Sequence, residues 1–454
     1  MKGNQKPCNV QDSFKNTPPP AMGVCFVPNH AENANILDDI LNALPKAEKG
    51  HSDGGFGGKK NPLEAEWKWK SKPLPRAPKS GPEIFDVTKY GAKNDGSSES
   101  TKAFLDTWKD ACSYSGDSWF VVPDGEFLLG EVEFEGPCTK GIQVEIRGTV
   151  KAVKDPSKYT EKSWIMFRHV DGLNISGGGT LDGQGELAWE KNSECKVCNM
   201  LAVSLKLIGV TNALVRQIYL VNSKAFNMHV TDCKRIHIYD VKITCPEESP
   251  NTDGIHISTS TGIKVTDSFI GVGDDCVSIG DGTKSILVTR VICGPGHGIS
   301  IGSLGKVETE EPVSNIHVNN CTLVGTTNGV RIKTWRGSSE LKVSDLTFEN
   351  IIMNRVSFPI IIDQHYCPSK DCADKPPSKV KLSNIVYKNI RGTSFTKLAV
   401  NVMCSEDYPC EDVHMSDIDL AYQNPEMTTA SMCSNIKVIT TGKQNPPLCT
   451  HLLS

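Results

Sequence analysis

Three carboxylates, one imidazole and two cationic side chains recur in this chain at intervals that invite chemistry. Asp253 stands in "SPNTDGIHIS", and Asp274 and Asp275 sit side by side in "GVGDDC", 21 residues further on. His297 follows in "GPGHGISIG", 23 residues beyond Asp274, and Arg331 and Lys333 in "GVRIKTW". Taken singly, an Asp beside a Gly is turn material, because its short side chain bonds to nearby backbone. Taken together, carboxylates in register suit glycoside hydrolysis, where one protonates the leaving oxygen and another activates water. Crowding like charges raises at least one carboxyl pKa, so a proton can be kept for the acid step. Arg331 and Lys333 favour an anionic substrate, since guanidinium and ammonium groups pair with carboxylates. A uronic-acid polymer fits that description, and nothing in the set calls for a metal or another cofactor.

For residues spread from 253 to 333 to meet, the fold must repeat. Short β-rich runs do recur, among them "LNISGGGTLDG", "RIHIYDVKITC", "SILVTRVICGPGHG" and "VKLSNIVYKNIRG". The apolar anchors Ile236, Ile263, Ile286, Ile316 and Leu341 lie 27, 23, 30 and 25 residues apart. Strand-only repeats of that length indicate a solenoid. We expect an all-β chain wound as a right-handed parallel β-helix, each repeat one coil, with strands stacking ~4.8 Å apart. A propeller, with about four strands per ~40-residue repeat, fits these intervals less well. Residues one coil apart then lie over one another, so Asp253, Asp274 and His297 share a face. Arg331 and Lys333 point the same way, because side chains alternate along a strand. By the same alternation Asp274 and Asp275 should diverge, so a bend or bulge is expected to turn both into the cleft. Ile255 and Ile257 should face inward and His256 outward.

The run "STKAFLDTWKDAC" places Phe104, Leu105 and Trp108 on one helical face. Such an N-terminal helix would cap the first coil, whose bare strand edge would otherwise invite aggregation. Residues 1–82 differ in kind: Pro-, Gly- and Lys-rich stretches should be flexible or extended, around one short helix carrying Ile36, Leu37, Ile40, Leu41 and Leu44. Residues 83–454 form the expected solenoid domain. A net charge of −4 with pI near 6.3 argues against nucleic acid as a partner. No segment is apolar and long enough to span a membrane, and the start lacks the apolar stretch of a signal peptide.

Seventeen cysteines point to a disulfide-stabilised, secreted protein, with the export signal not visible. Cys195 and Cys198 form a CxxC, but no second CxxC or His pair completes a zinc site. Cys276–Cys293, Cys404–Cys410 and Cys433–Cys449 are expected pairs, and Cys367 lies close to Cys372. The odd count leaves at least one thiol, for which Cys321, inside a strand-like stretch, is the candidate. Asn174 in "NIS" and Asn320 in "NCT" are glycosylation acceptors on a secretory route.

The motifs "NTDG", "GDDC", "GHGISIGSLG" and "RIK", in this order, resemble the four motifs of polygalacturonases, glycoside hydrolase family 28. The resemblance covers about residues 84–450. The segments "SPNTDGIHIS", "GVGDDC" and "DQHYCPSKDC" look most like the plant pollen-type exopolygalacturonases. It implies the same β-helix and hydrolysis of α-1,4 bonds in polygalacturonic acid with inversion, in plant cell-wall modification, by a monomer. It also implies roles: Asp274 as general acid, Asp253 and Asp275 holding and deprotonating water, and His297 tuning the acid. Arg331 and Lys333 would bind the galacturonate carboxylate, with Asn251 and Tyr366 as further contacts. Endo action, a pectate lyase on the same architecture, and a non-catalytic wall-binding solenoid are the competing readings. The "GHG" and "RIK" motifs do not fit the lyase.

Overall fold

In the computed structural model, residues 81–194, 201–368, 372–449 and 452–453 are described. The expected extension, except residues 81 and 82, and the Cys195/Cys198 pair lie outside them. The described chain is a right-handed parallel β-helix. Twelve described strands form one all-parallel sheet, running from Val132–Glu135 through Ile255–Ser258 and Phe358–Tyr366 to Leu452–Leu453. The remaining strands pair, also in parallel, into a second, longer sheet that closes the coil. Helices are few among the described residues, the longer being Thr101–Ser113.

Alternation decides which side chains fill the coil. In the twelve-stranded sheet Ile255 stacks on Val277, then Ile299, Val330, Ile360 and Val400. A second file runs Ile257, Ile279, Ile301, Ile332, Ile362 and Val402. Every member of both files is fully buried. Each such side chain contributes roughly 1.5–3 kcal/mol of transfer free energy. β-branched residues suit this position because their restricted χ1 angles match a pleated surface.

In the longer sheet Ile236, Ile263, Ile286 and Ile316 pair in consecutive coils, as the spacing predicts. The fifth anchor is corrected: Ile316 pairs with Leu346, 30 residues on, while Leu341 pairs forward with Val380. The strand Leu341–Val356 buries Leu341, Val343, Leu346 and Phe348, so several residues offer themselves as anchors. Asp345 at φ +61 interrupts the alternation and sets which one is in phase. Coil corners use left-handed backbone, which Asn tolerates because its side chain can bond locally. Asn320, Asn350 and Asn389 adopt φ of 53, 57 and 50 at successive corners. Side-chain amides tie these turns together, Asn350 Nδ2 donating to Asn319 Oδ1 at 3.1 Å and Asn389 Nδ2 to Asn350 Oδ1 at 2.8 Å.

The capping helix closes the first coils with aromatic rings. Trp108 packs on Phe134 at 5.0 Å and Phe167 at 5.4 Å, and its Nε1 donates to the Glu135 carbonyl at 3.0 Å. Phe104 is buried beside Phe120 and Phe127. Leu105, expected on the same face, is 37% exposed instead. The buried face is carried by Phe104, Trp108, Ala111 and Cys112, one to two turns apart, and Leu105 lies past its edge. Cys112–Cys138 ties the helix to the coil.

The three expected disulfides are present, with Cys367–Cys372 beside them. Among the described residues, Cys321 is a buried free thiol as anticipated, joined by Cys233 and Cys245. No described helix is long and apolar enough to cross a membrane.

Candidate active site

The outward face of the twelve-stranded sheet carries a different file from its interior. Lys206, His229, His256, Ser278, Ser300, Arg331, Ile361 and Asn401 occupy equivalent positions in consecutive coils. The acidic residues sit where chain enters this sheet. The register pairs Ile255 with Val277, so one coil here is 22 residues, and Asp275, rather than Asp274, lies over Asp253. Asp274 occupies a bend before the strand Val277–Ile279. The anticipated bend thus exists, and it gives the two neighbouring carboxylates separate surroundings.

Close approach of successive coils explains two glycines. A Cβ on Gly254 would stand 2.4 Å from the Cys276 carbonyl oxygen, and one on Gly273 would stand 2.0 Å from that of Ser249. Only Gly lets the turn bearing Asp253 and the turn bearing Asp274 nest this tightly. Buried Asn227 holds the first turn, its Nδ2 donating to the Asp253 carbonyl at 3.1 Å and its backbone N–H at 2.8 Å. The Cys276–Cys293 disulfide joins the segment after Asp275 to the one before His297.

The Asp274 side chain is 19% exposed. Its Oδ1 lies 2.9 Å from His297 Nδ1 and accepts the Asp275 backbone N–H at 2.8 Å. Asn251, exposed, donates to Oδ2 at 3.4 Å. His297 also donates its backbone N–H to the Asp274 carbonyl at 2.8 Å, which fixes the two residues as one unit.

Asp275 is buried, yet not in the apolar coil. Its Oδ1 accepts from Ser300 Oγ at 2.7 Å and Arg331 at 2.8 Å, its Oδ2 from Lys333 Nζ at 2.8 Å. Arg331 and Lys333 arise two coils further on, and their length spans the intervening strand, where Ser300 Oγ accepts from Arg331 Nε at 3.1 Å. Burial by itself would raise the Asp275 pKa, but the two cations and hydrogen bonds from Lys333 and Ser300 outweigh it, holding the group at about 2. Asp253 goes the other way. Burial, then the charges of Asp274 and Asp275, push it well above the carboxylate range, against a 2.6 Å hydrogen bond from Ser278 Oγ. Such a coupled set retains a proton as a unit.

Arg331 and Lys333 therefore both meet Asp275. Lys333 also lies over the Tyr366 ring at 5.4 Å, and that ring packs edge-on against Trp335 at 5.1 Å. Asp274, Asp275 and His297 offer donor atoms within 4.8 Å of one another. Both Asp275 oxygens are already engaged by the protein's own cations, Arg331 and Lys333. His256 does point out of the coil, but Phe226 and His229 cover it, each ring 4.9 Å away.

All eight anticipated residues lie on or beside this face. Ser278, Ser300, Asn227 and Trp335 were not anticipated. The signal for the two serines is in "CVSIG" and "GISIG", where an alternating Ser recurs 22 residues apart at the coil period. Asn227 and Trp335 carry no such periodic mark.

The sequence profile of Glycosyl hydrolases family 28 matches residues 112–443. A polygalacturonase of Gossypium barbadense is 48% identical over 377 residues, 82% of this chain and 92% of that protein. An exopolygalacturonase of Oenothera organensis is 46% identical over 355 residues, 78% of this chain and 98% of its own length. The crystal structure of an exopolygalacturonase from Thermotoga maritima shares the fold, with TM-score 0.68 at 18% identity over 81% of this chain and 92% of that one. Profile and identity together place this chain in glycosyl hydrolases family 28.

Proposed function

We propose that this protein hydrolyses the α-1,4 bonds of polygalacturonate, acting from a chain end, outside the cell at the plant cell wall. One observation carries the reading: Asp274, partly exposed and bonded to His297, stands beside a buried carboxylate clamped by Arg331 and Lys333. Asp274 delivers its proton to the glycosidic oxygen as the bond from the anomeric carbon breaks. A water held by Asp253 and Asp275 attacks that carbon from the opposite side and gives its proton to Asp253. The configuration inverts, and solvent restores the proton to Asp274 and removes the one on Asp253. A base with raised proton affinity pulls harder on water, and it is available only above its own pKa. Asp275 stays ionised, and its charge both orients the water and holds Arg331 and Lys333 toward the substrate carboxylate. Exo action is supported by the relatives that bear that name, and an extracellular site by the five disulfides among the described residues.

Digestion of polygalacturonate with product sizing tests this. Monomer as the first product is expected. A spread of oligomers with an early viscosity drop would overturn exo action, and unsaturated products absorbing in the ultraviolet would overturn hydrolysis.

A further inference from the structure

The proposed base is connected through one serine to a histidine. Ser278 Oγ lies 2.6 Å from Asp253 Oδ2 and 2.7 Å from His256 Nδ1, so one hydroxyl bridges the two. We propose that His256 is a positioning residue for Asp253, its Nδ1–H donating to Ser278 so that the single hydroxyl hydrogen of Ser278 is turned onto the Asp253 carboxylate. This inference rests on the assignment of Asp253 as base.

The argument is one of donor counting. A serine hydroxyl has one hydrogen and two acceptor sites. With Asp253 ionised, as a base must be, a carboxylate oxygen 2.6 Å away requires that hydrogen. The remaining short contact then needs its hydrogen from the imidazole. A neutral imidazole has one N–H, and the contact at 2.7 Å assigns it to Nδ1. Loss of water around the ring, covered by Phe226 and His229, lowers the His256 pKa to about 4, against a smaller opposing pull from Asp275. Above about pH 4, where the raised Asp253 gives up its proton, the ring is thus neutral and the chain adds no charge beside the base. Asp253 itself faces Asp274, Asp275, Ser278 and Lys333, and His256 faces Asp275, Lys333, His229 and Ser278. Among the described groups around Asp253, Lys333 and Ser278 favour its ionised form, and Lys333 is committed to Asp275 at 2.8 Å. Ser278, held in orientation by His256, is therefore the hydrogen-bond donor left to favour the ionised base, against burial and the charges of Asp274 and Asp275.

The pH profile of kcat/KM on polygalacturonate tests this in four variants. In His256→Leu the acid limb should move to higher pH, with kcat/KM about tenfold down on that limb, the loss in kcat and KM little changed. Ser278→Ala should shift the limb in the same direction. The double variant should be no worse than Ser278→Ala, because both act through one hydrogen bond. His256→Asn, whose amide can donate near the Nδ1 position, should restore most of the wild-type profile. An unmoved limb in folded His256→Leu, or additive losses in the double variant, overturns the proposal. If His256→Leu does not fold, an unmoved limb in Ser278→Ala or a shifted limb in His256→Asn does so. Carbon-13 titration of the Asp253 carboxyl, assigned by its loss in Asp253→Asn, needs no turnover. A wild type that releases no sugar would sink the functional reading, and the titration would still decide whether His256 governs Asp253.

Discussion

The two faces of the same strands differ in kind. Inward, the coil repeats itself: six consecutive rungs place Ile or Val at both buried positions. Outward, one residue away, consecutive rungs read Lys206, His229, His256, Ser278, Ser300, Arg331 and Ile361, and chemistry lies in the changes. The inner face needs only shape and apolarity, which any coil can supply to the next. The outer face needs a particular group at a particular height, so no rung can stand in for another. Substitutions should therefore separate cleanly, with outer changes lowering turnover and inner changes lowering stability.

The largest separation is expected at Asp274. Asp274→Asn keeps the shape and the contact to His297 but cannot donate a carboxylic proton. Turnover should fall by about 10²–10⁴ or more, with the thermal midpoint nearly unchanged. Its counterpart inside the coil is Ile257→Ala, which should cost about 2–5 kcal/mol of stability by leaving a cavity under fully packed neighbours. Its kcat per folded molecule should stay near wild type. Reducing-sugar release and calorimetry on both variants check this, and an Asp274→Asn protein with wild-type kcat would undo the contrast. His297→Ala, which leaves the acid but removes its partner, should lose less turnover than Asp274→Asn.

Asp275 breaks the separation, because it belongs to the outer face yet is buried. Asp275→Ala leaves Arg331 and Lys333 without their counter-ion, and a buried pair broken on one side costs about 3–5 kcal/mol. Both activity and stability should fall. The sign with pH follows from a folded pKa depressed to about 2 by Arg331 and Lys333. The stabilisation is fully present above the unfolded value of ~3.9 and is lost as pH falls toward about 2. Denaturation midpoints followed across that window should drop more steeply in the wild type than in Asp275→Ala. Equal slopes would mean that the clamp adds no net stability.

How much of this was legible depended on which face wrote it. The inner face announces itself by alternation, so the coil and its stacking follow from spacing, whereas spacing puts Asp274 over Asp253 and the 22-residue register puts Asp275 there. The phase was less legible: Leu341 and Leu346 both satisfy an apolar pattern, and only Asp345 in left-handed backbone decides between them. On the outer face, charged residues declare themselves by type, but their partners do not. Arg331 and Lys333 signal an anion, and sequence cannot say that Asp275 already holds both, because that pairing spans two coils of side-chain length. Ser278 is more hidden still: its recurrence with Ser300 marks a coil position, and its role shows only once its height beside Asp253 is known.

The smallest expected effect lies at the coil corners, a third environment between the two faces. Cys321 follows Asn320 at one such corner and is buried, and loss of water pushes its thiol up to about 12. Cys233, buried after the turn at Asp232, is pushed to about 12 for the same reason. The thiolate is the reactive form, so neither should react with a disulfide reagent near pH 8 while the coil is closed. Cys321→Ala removes one buried sulfur and should cost about 0.5–1.5 kcal/mol, comparable to losing a methyl group, with turnover unchanged. Labelling rates with and without denaturant, read by mass spectrometry, check the first part, and calorimetry the second. Slow labelling that accelerates only at global unfolding would place the corners with the inner face as parts of one cooperative unit. Rapid labelling of Cys321 in native protein would instead mean that this corner opens by itself, and the tie from Asn319 through Asn350 to Asn389 would then be too weak to hold adjacent turns together.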